Sequence, residues 1–90
     1  MLEVKRTNSF KREFALAARR GRDMAKIIAV MDLLINERPL PPERKDHPLR
    51  GNYAAYRECH IQSDWVLIYK IDPEARRITF VHTGTHADLF

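Results

Sequence analysis

Apolar residues recur at helical spacing in the first part of the chain and in strand-like runs in the last part, and a proline-rich break separates the two patterns. Met24, Ile27, Ile28, Met31, Leu34 and Ile35 fall at i, i+3, i+4, i+7, i+10 and i+11. That is one continuous apolar face, and it predicts an amphipathic helix packed on a core, with Asp23 as its cap. Phe10, Phe14 and Ala17 or Ala18 make a similar stripe on a first helix, from about Phe10 to Arg20, opened by Asn8 or Ser9 and stopped at Gly21. Ahead of it, Leu2 to Arg6 alternates closely enough to predict a short edge strand.

Pro39, Pro41 and Pro42 close the helical part, since proline holds itself and the residue before it away from helical dihedrals. Beyond them, Tyr53 to His60 alternates, Trp65 to Ile71 is almost wholly apolar, and Arg77 to Thr83 alternates again. These are three predicted strands, joined by short turns at Ile61-Gln62-Ser63 and Asp72-Pro73-Glu74-Ala75 that suit antiparallel hairpins. The unbroken middle strand predicts a central place, buried on both faces. The order is β-α-α-β-β-β, an α+β fold with two N-terminal helices on one face of a mainly antiparallel sheet, expected as a single domain over residues 1–90.

Composition adds little to this picture except in charge. With 44% hydrophobic and 31% charged residues the chain has an ordinary globular balance. No apolar run nears the roughly 20 residues that cross a bilayer, no secretory h-region follows Met1, and Cys59 has no second cysteine to pair with. A cytoplasmic protein without a membrane partner is the expectation. Residues 1–50 carry twelve basic against seven acidic groups, whereas residues 51–90 carry four against five. A cationic helical half can attract a polyanion, or it can simply be a solvated helix surface.

The chemistry concentrates in the second half, where His47, His60, His82 and His86 lie. Imidazole is the side chain whose unperturbed titration, at about 6.5, lets it give and take protons near neutral pH. His60 ends one predicted strand and Asp64 with Trp65 opens the next across a tight turn, so the carboxylate is expected to fix or charge the His60 ring. His82 is expected to close the last strand, with His86 beyond a turn at Gly84. The His82 and His86 spacing is that of zinc ligands on a helix, but Thr83-Gly84-Thr85 is a poor helix, and no metal site is expected. Cys59 points away from His60 and reads as a buried small hydrophobe.

The segments Lys45-Asp46-His47-Pro48-Leu49-Arg50-Gly51, Tyr56-Arg57-Glu58-Cys59-His60, Asp64-Trp65-Val66-Leu67-Ile68-Tyr69-Lys70 and Thr83-Gly84-Thr85-His86-Ala87-Asp88-Leu89-Phe90 together resemble the YafQ branch of the RelE-type bacterial toxins. The likeness spans essentially the whole chain. It implies a toxin of a type II toxin–antitoxin pair: an endoribonuclease that needs no cofactor or metal and cuts translated messenger RNA in the A site of the 70S ribosome. The RNA's own 2′-hydroxyl attacks, leaving a 2′,3′-cyclic phosphate and a 5′-hydroxyl, and a cognate antitoxin neutralises the protein. Carried over residue by residue, His47, His60, Asp64 and His86 match the catalytic positions, and Trp65 and Phe90 the active-site aromatics. His86 is expected as general acid and His47 or His60 as base, with Lys45 and Arg57 as phosphate contacts. His82 stands where many relatives have arginine, which puts a phosphate-clamping role there in question. The same fold serves ParE-type toxins that bind DNA gyrase, which gain nothing from the set of histidines, and a third reading is a non-catalytic RNA-binding module in which the same groups only contact phosphates.

Overall fold

The computed structural model describes residues 1–90 and builds them around one five-stranded sheet in the order β1-β5-β4-β3-β2. The strands are β1 (Glu3–Arg6), β2 (His47–Pro48), β3 (Arg57–Gln62), β4 (Trp65–Asp72) and β5 (Arg77–Thr85). Helices α1 (Asn8–Arg19) and α2 (Met24–Ile35) follow β1, and a single turn, α3 (His86–Leu89), follows β5. All neighbours pair antiparallel except β1, which lies parallel to β5 at one edge. No helix is long and apolar enough to cross a membrane.

The central strand is as buried as its composition demands, with Trp65 through Tyr69 all shielded from solvent. Trp65, Leu67 and Tyr69 from β4 join Cys59, Ile61, Ile78 and Phe80, and the helices lay Phe10, Ala17, Ile27, Val30 and Leu34 over them. Removing this apolar surface from water is the main stabilising term, at roughly 25 cal/mol per Å². Burial also pushes the Cys59 thiol up to about 12, so it behaves as the expected small hydrophobe.

Several local expectations need correction. The first helix is capped by Thr7 rather than Asn8 or Ser9: its hydroxyl oxygen accepts from Phe10 N–H at 2.9 Å while its O–H donates to Val81 C=O at 2.7 Å. Tyr53 lies in a 3-10 turn (Gly51–Tyr53) and the strand starts only at Arg57. The chain between Pro42 and Tyr56 adds the two-residue β2, in which His47 pairs with Glu58. His82 does not close the last strand, because β5 runs on to Thr85.

That last strand carries an extra residue. Tyr69 faces Phe80 but Ile68 faces His82, leaving Val81 as a bulge. Strict alternation from Ile78 and Phe80 would send His82 into the helix-covered core. The bulge sends His82 to the open sheet face instead and turns Thr83 inward, where its hydroxyl accepts from Trp65 Nε1–H at 2.9 Å and donates to Val66 C=O at 2.9 Å.

Trp65 is therefore a core residue, fully buried with its indole N–H satisfied, and not an aromatic available to an RNA base. Trp65→Ala is expected to cost about 3–5 kcal/mol of stability. Urea denaturation measures this, and any loss of activity in that variant should track the loss of folded protein.

Candidate active site

Glu58 sits on the open face of β3, next to His47 of β2 and Ile68 of β4 in the sheet register, and its side chain is only 5% exposed. A carboxylate so buried requires partners. Three imidazoles supply them. His86 Nε2–H donates to Glu58 Oε1 at 2.7 Å, His60 Nε2 stands 3.5 Å from the same oxygen, and His47 Nε2 stands 3.9 Å from it. The His60 and His86 rings are 5.8 Å apart.

Each histidine is held by a separate piece of backbone. His60 is two residues along β3 from Glu58, on the same face by the period of a strand. His47 is carried by β2, and Asp46 just before it anchors that segment by accepting from Tyr69 O–H at 2.6 Å and Arg57 Nε–H at 3.2 Å. His86 opens α3, where a capping box fixes the turn: Thr85 Oγ1 accepts from Asp88 N–H and Asp88 accepts from Thr85 N–H. That turn packs close against the strand, since a Cβ on Gly84 would stand 3.4 Å from Leu89 Cδ2.

The second nitrogen of His86 meets another acid. His86 Nδ1–H donates to Asp64 Oδ1 at 2.8 Å across the β3–β4 turn. With an acceptor oxygen at each ring nitrogen, His86 is held as an imidazolium between two carboxylates. The Asp64 and Glu58 hydrogen bonds raise its pKa from the ordinary 6.5, and the same contact with His86 lowers that of Asp64. Both groups remain substantially exposed, His86 at 44% and Asp64 at 60%, so water screens the pair.

The expected site residues thus divide. His47, His60 and His86 come together, and Asp64 joins them through His86, not through His60 as the sequence suggested; His60 Nδ1 faces only Ser63 C=O at 3.5 Å. Phe90 stacks on His86 with centroids 6.1 Å apart. Lys45 borders a shallow cavity that also touches His60. Arg57 is corrected as a phosphate contact, because it pairs in register with Tyr69 on the helix side of the sheet, opposite to Glu58, and holds Asp46. Trp65 lies in the core. His82 is on the open face, paired with Glu13 at 3.0 Å. Glu58 was not anticipated, since one glutamate in an alternating strand looks like any solvated position.

The facing nitrogens of His47 and His60 and an oxygen of Glu58 lie within 4.8 Å of one another, so these three could also hold a cation.

Comparison with known proteins gives one consistent result. Residues 2–90 match the family model described as a bacterial toxin of type II toxin–antitoxin system, YafQ. The chain is 43% identical over 89 residues to the mRNA interferase toxin YafQ of Escherichia coli K12, covering 98% of this chain and 95% of that protein. Its structure is similar to YafQ in the E. coli DinJ–YafQ complex, with a TM-score of 0.91 and 41% identity over 100% of this chain and 99% of that one. It is also similar to a metal-bound toxin from Helicobacter pylori, with a TM-score of 0.94 and 33% identity over the whole of both chains.

The His86 geometry sets a pH dependence. A raised folded-state pKa means that His86 contributes stability fully below about pH 6.5 and loses it as pH rises through the raised value. Asp64, with its lowered pKa, contributes fully above about pH 3.8 and loses this as pH falls through its folded value. The contribution of the pair is therefore greatest between those limits. Asp64→Asn should move the His86 titration, followed by the imidazole proton resonance, down toward 6.5 and flatten this part of the stability–pH curve.

Proposed function

The chain belongs to the YafQ toxin family, and from that premise we propose that it is an mRNA interferase in which Glu58 and His86 form the base and acid of a 2′-hydroxyl attack on RNA. The observation that carries this reading is the 2.7 Å contact between His86 Nε2 and a Glu58 carboxylate oxygen, with Asp64 at the other ring nitrogen of His86. The resting pair already holds one proton donor and one proton acceptor, in the states that the reaction requires.

In this reading a scissile phosphate enters between the two groups and takes over the His86 Nε2–H. Glu58 accepts the proton of the 2′-hydroxyl, and the oxygen attacks phosphorus. His86 gives its proton to the departing 5′-oxygen, which leaves as a hydroxyl, and the message keeps a cyclic phosphate. Protons balance over the step, for Glu58 has gained one and His86 has lost one. Once the RNA departs, the restored contact lets Glu58 return its proton to His86 and resets the pair. His47 and His60, set around the same carboxylate oxygen, face the phosphate and stabilise its developing charge, with Lys45 nearby. This moves the base from His47 or His60 to Glu58, which all three imidazoles approach. Asp64 keeps His86 charged and oriented.

The partners follow the family. Translated mRNA in the ribosomal A site is the substrate we propose, in the cytoplasm, and an antitoxin related in role to DinJ is the neutralising protein. The ribosome holds the message in line for attack, a positional contribution that can rival proton transfer. The basic excess of residues 1–50 suits a surface lined with RNA phosphates. A gyrase-binding toxin has no use for a carboxylate ringed by imidazoles.

His86→Gln and Glu58→Gln are each expected to lower cleavage of a ribosome-bound message by a factor of about 10² to 10⁴ while ribosome binding persists. Primer extension on the message and sedimentation with ribosomes measure the two; a Glu58→Gln protein that cuts at the parent rate removes the carboxylate from the role of base. The reaction as written uses no metal, and a cation seated on His47, Glu58 and His60 would occupy the lone pairs that the base needs. Cleavage should survive a chelator that leaves the ribosome intact and should fall when micromolar Zn²⁺ or Cu²⁺ is added, with the inhibition relieved in His47→Gln.

A further inference from the structure

Next to the acid–base cluster the open sheet face carries a small cleft of about 100 Å³, walled by Tyr53, Tyr56, Phe90, Leu89 and Ile68, with His82 as its polar member. Two of its walls are large and unusually open to solvent, Tyr53 at 49% and Phe90 at 58% exposure. They meet edge to face at 5.8 Å, and Phe90 in turn stacks on His86. The cleft is thus one ring away from the group that protonates the leaving oxygen. Flat aromatic walls exposed beside a phosphodiester-cleaving centre suit an unstacked nucleobase.

His82 is built into this cleft by three features. The Val81 bulge turns it to the open face. Beyond Arg6, where β1 ends, the outer edge of β5 has no strand partner, and Glu13 of α1 covers it: Glu13 Oε1 accepts from Thr83 N–H at 3.2 Å. The same carboxylate lies 3.0 and 3.2 Å from His82 Nδ1. Glu13 thus takes up Nδ1 and leaves Nε2 without a protein partner; in the tautomer with Nδ1–H donating to Glu13, Nε2 is an acceptor.

We propose that this cleft is a base-reading subsite in which His82 Nε2 accepts a hydrogen bond from the exocyclic amine of adenine or cytosine in the substrate, while the base stacks on Tyr53 and has Phe90, perpendicular to that ring, at its edge. The inference rests on the nuclease reading above and supplies its sequence preference. Guanine and uracil present carbonyl oxygens at the corresponding positions, and these do not pair with an acceptor nitrogen. His82, standing where relatives often have arginine, is a specificity residue and not a phosphate clamp.

The test maps cleavage on translating ribosomes programmed with messages in which each base around the cut is varied. The parent protein should favour adenine or cytosine over guanine or uracil by about tenfold at one position, the size expected for one net hydrogen bond. His82→Leu should abolish that preference and keep the rate on a previously disfavoured base within a few-fold. Tyr53→Ala should raise the message concentration needed for half-maximal cutting and leave the preference intact. Independently of any variant, the ¹⁵N resonance of His82 Nε2 should move on adding adenosine or cytidine 3′-monophosphate and stay fixed with uridine 3′-monophosphate. An unchanged preference in His82→Leu overturns the proposal, and so does a uniform slowing at all sites, which marks a phosphate contact. Normal cleavage by Tyr53→Ala with weakened antitoxin binding also overturns it, assigning the cleft to the protein partner. A parent protein that cuts no message at all defeats the nuclease reading itself.

Discussion

A single buried carboxylate organises the working face of this protein. Glu58 is shielded beneath His47, His60 and His86, and such a group is tolerable in an interior only when charge or hydrogen bonds answer it. Its partners come from three parts of the chain that otherwise have little reason to meet. β2 brings His47 to one side, β3 itself brings His60, and the turn after β5 brings His86. The supporting interactions serve the same end: Asp46 ties down the approach to β2, the Thr85–Asp88 box shapes α3, and Asp64 takes the far nitrogen of His86. The fold's two faces thus divide the labour, with apolar packing under the helices and polar chemistry on the open side.

The elements were legible wherever one face of one element had to be apolar. The helix from Met24 to Ile35, the apolar run of β4 and the edge position of β1 are all consequences of local period, and the structure bears them out, except that Ile28 of the predicted stripe stays exposed and Val30 takes a place in the core. The histidines stood out by type. Their partners did not, because partnership is long-range. Asp64 lies four residues from His60 in sequence, yet it bonds His86, twenty-two residues away, since the tight turn that carries it at the end of β3 opens toward α3. Glu58 was hidden by its ordinary surroundings in sequence, and only the pairing of β2 with β3 brings a second imidazole over it.

Irregularity accounts for the remaining differences. One unpaired residue, Val81, reverses the alternation of β5, so His82 and Thr83 exchange the faces that a regular strand would assign them. Trp65 was drawn toward the site by its place beside Asp64, whereas its register partner Thr85 and its bond to Thr83 fix it in the core. Arg57 and Glu58 are neighbours with opposite duties for the elementary reason that successive strand residues point to opposite sides. Family likeness pointed to segments that the fold brings together around Glu58, but which side chain of each segment reaches that cluster was decided by sheet geometry.

The way Glu13 and Thr7 cover β5 bears on how another protein can hold this one. Past the end of β1, Thr7 O–H takes the Val81 carbonyl and Glu13 takes the Thr83 amide, so the ladder is closed there. At the opposite margin β2 is two residues long and includes Pro48, which has no N–H to offer. On β1 the outer margin is only four residues long and carries Glu3, Lys5 and Arg6, charges that discourage annexation by a foreign strand. A neutralising partner thus meets sheet margins that are covered, short or charged, which favours a grip through side chains over extension of the ladder.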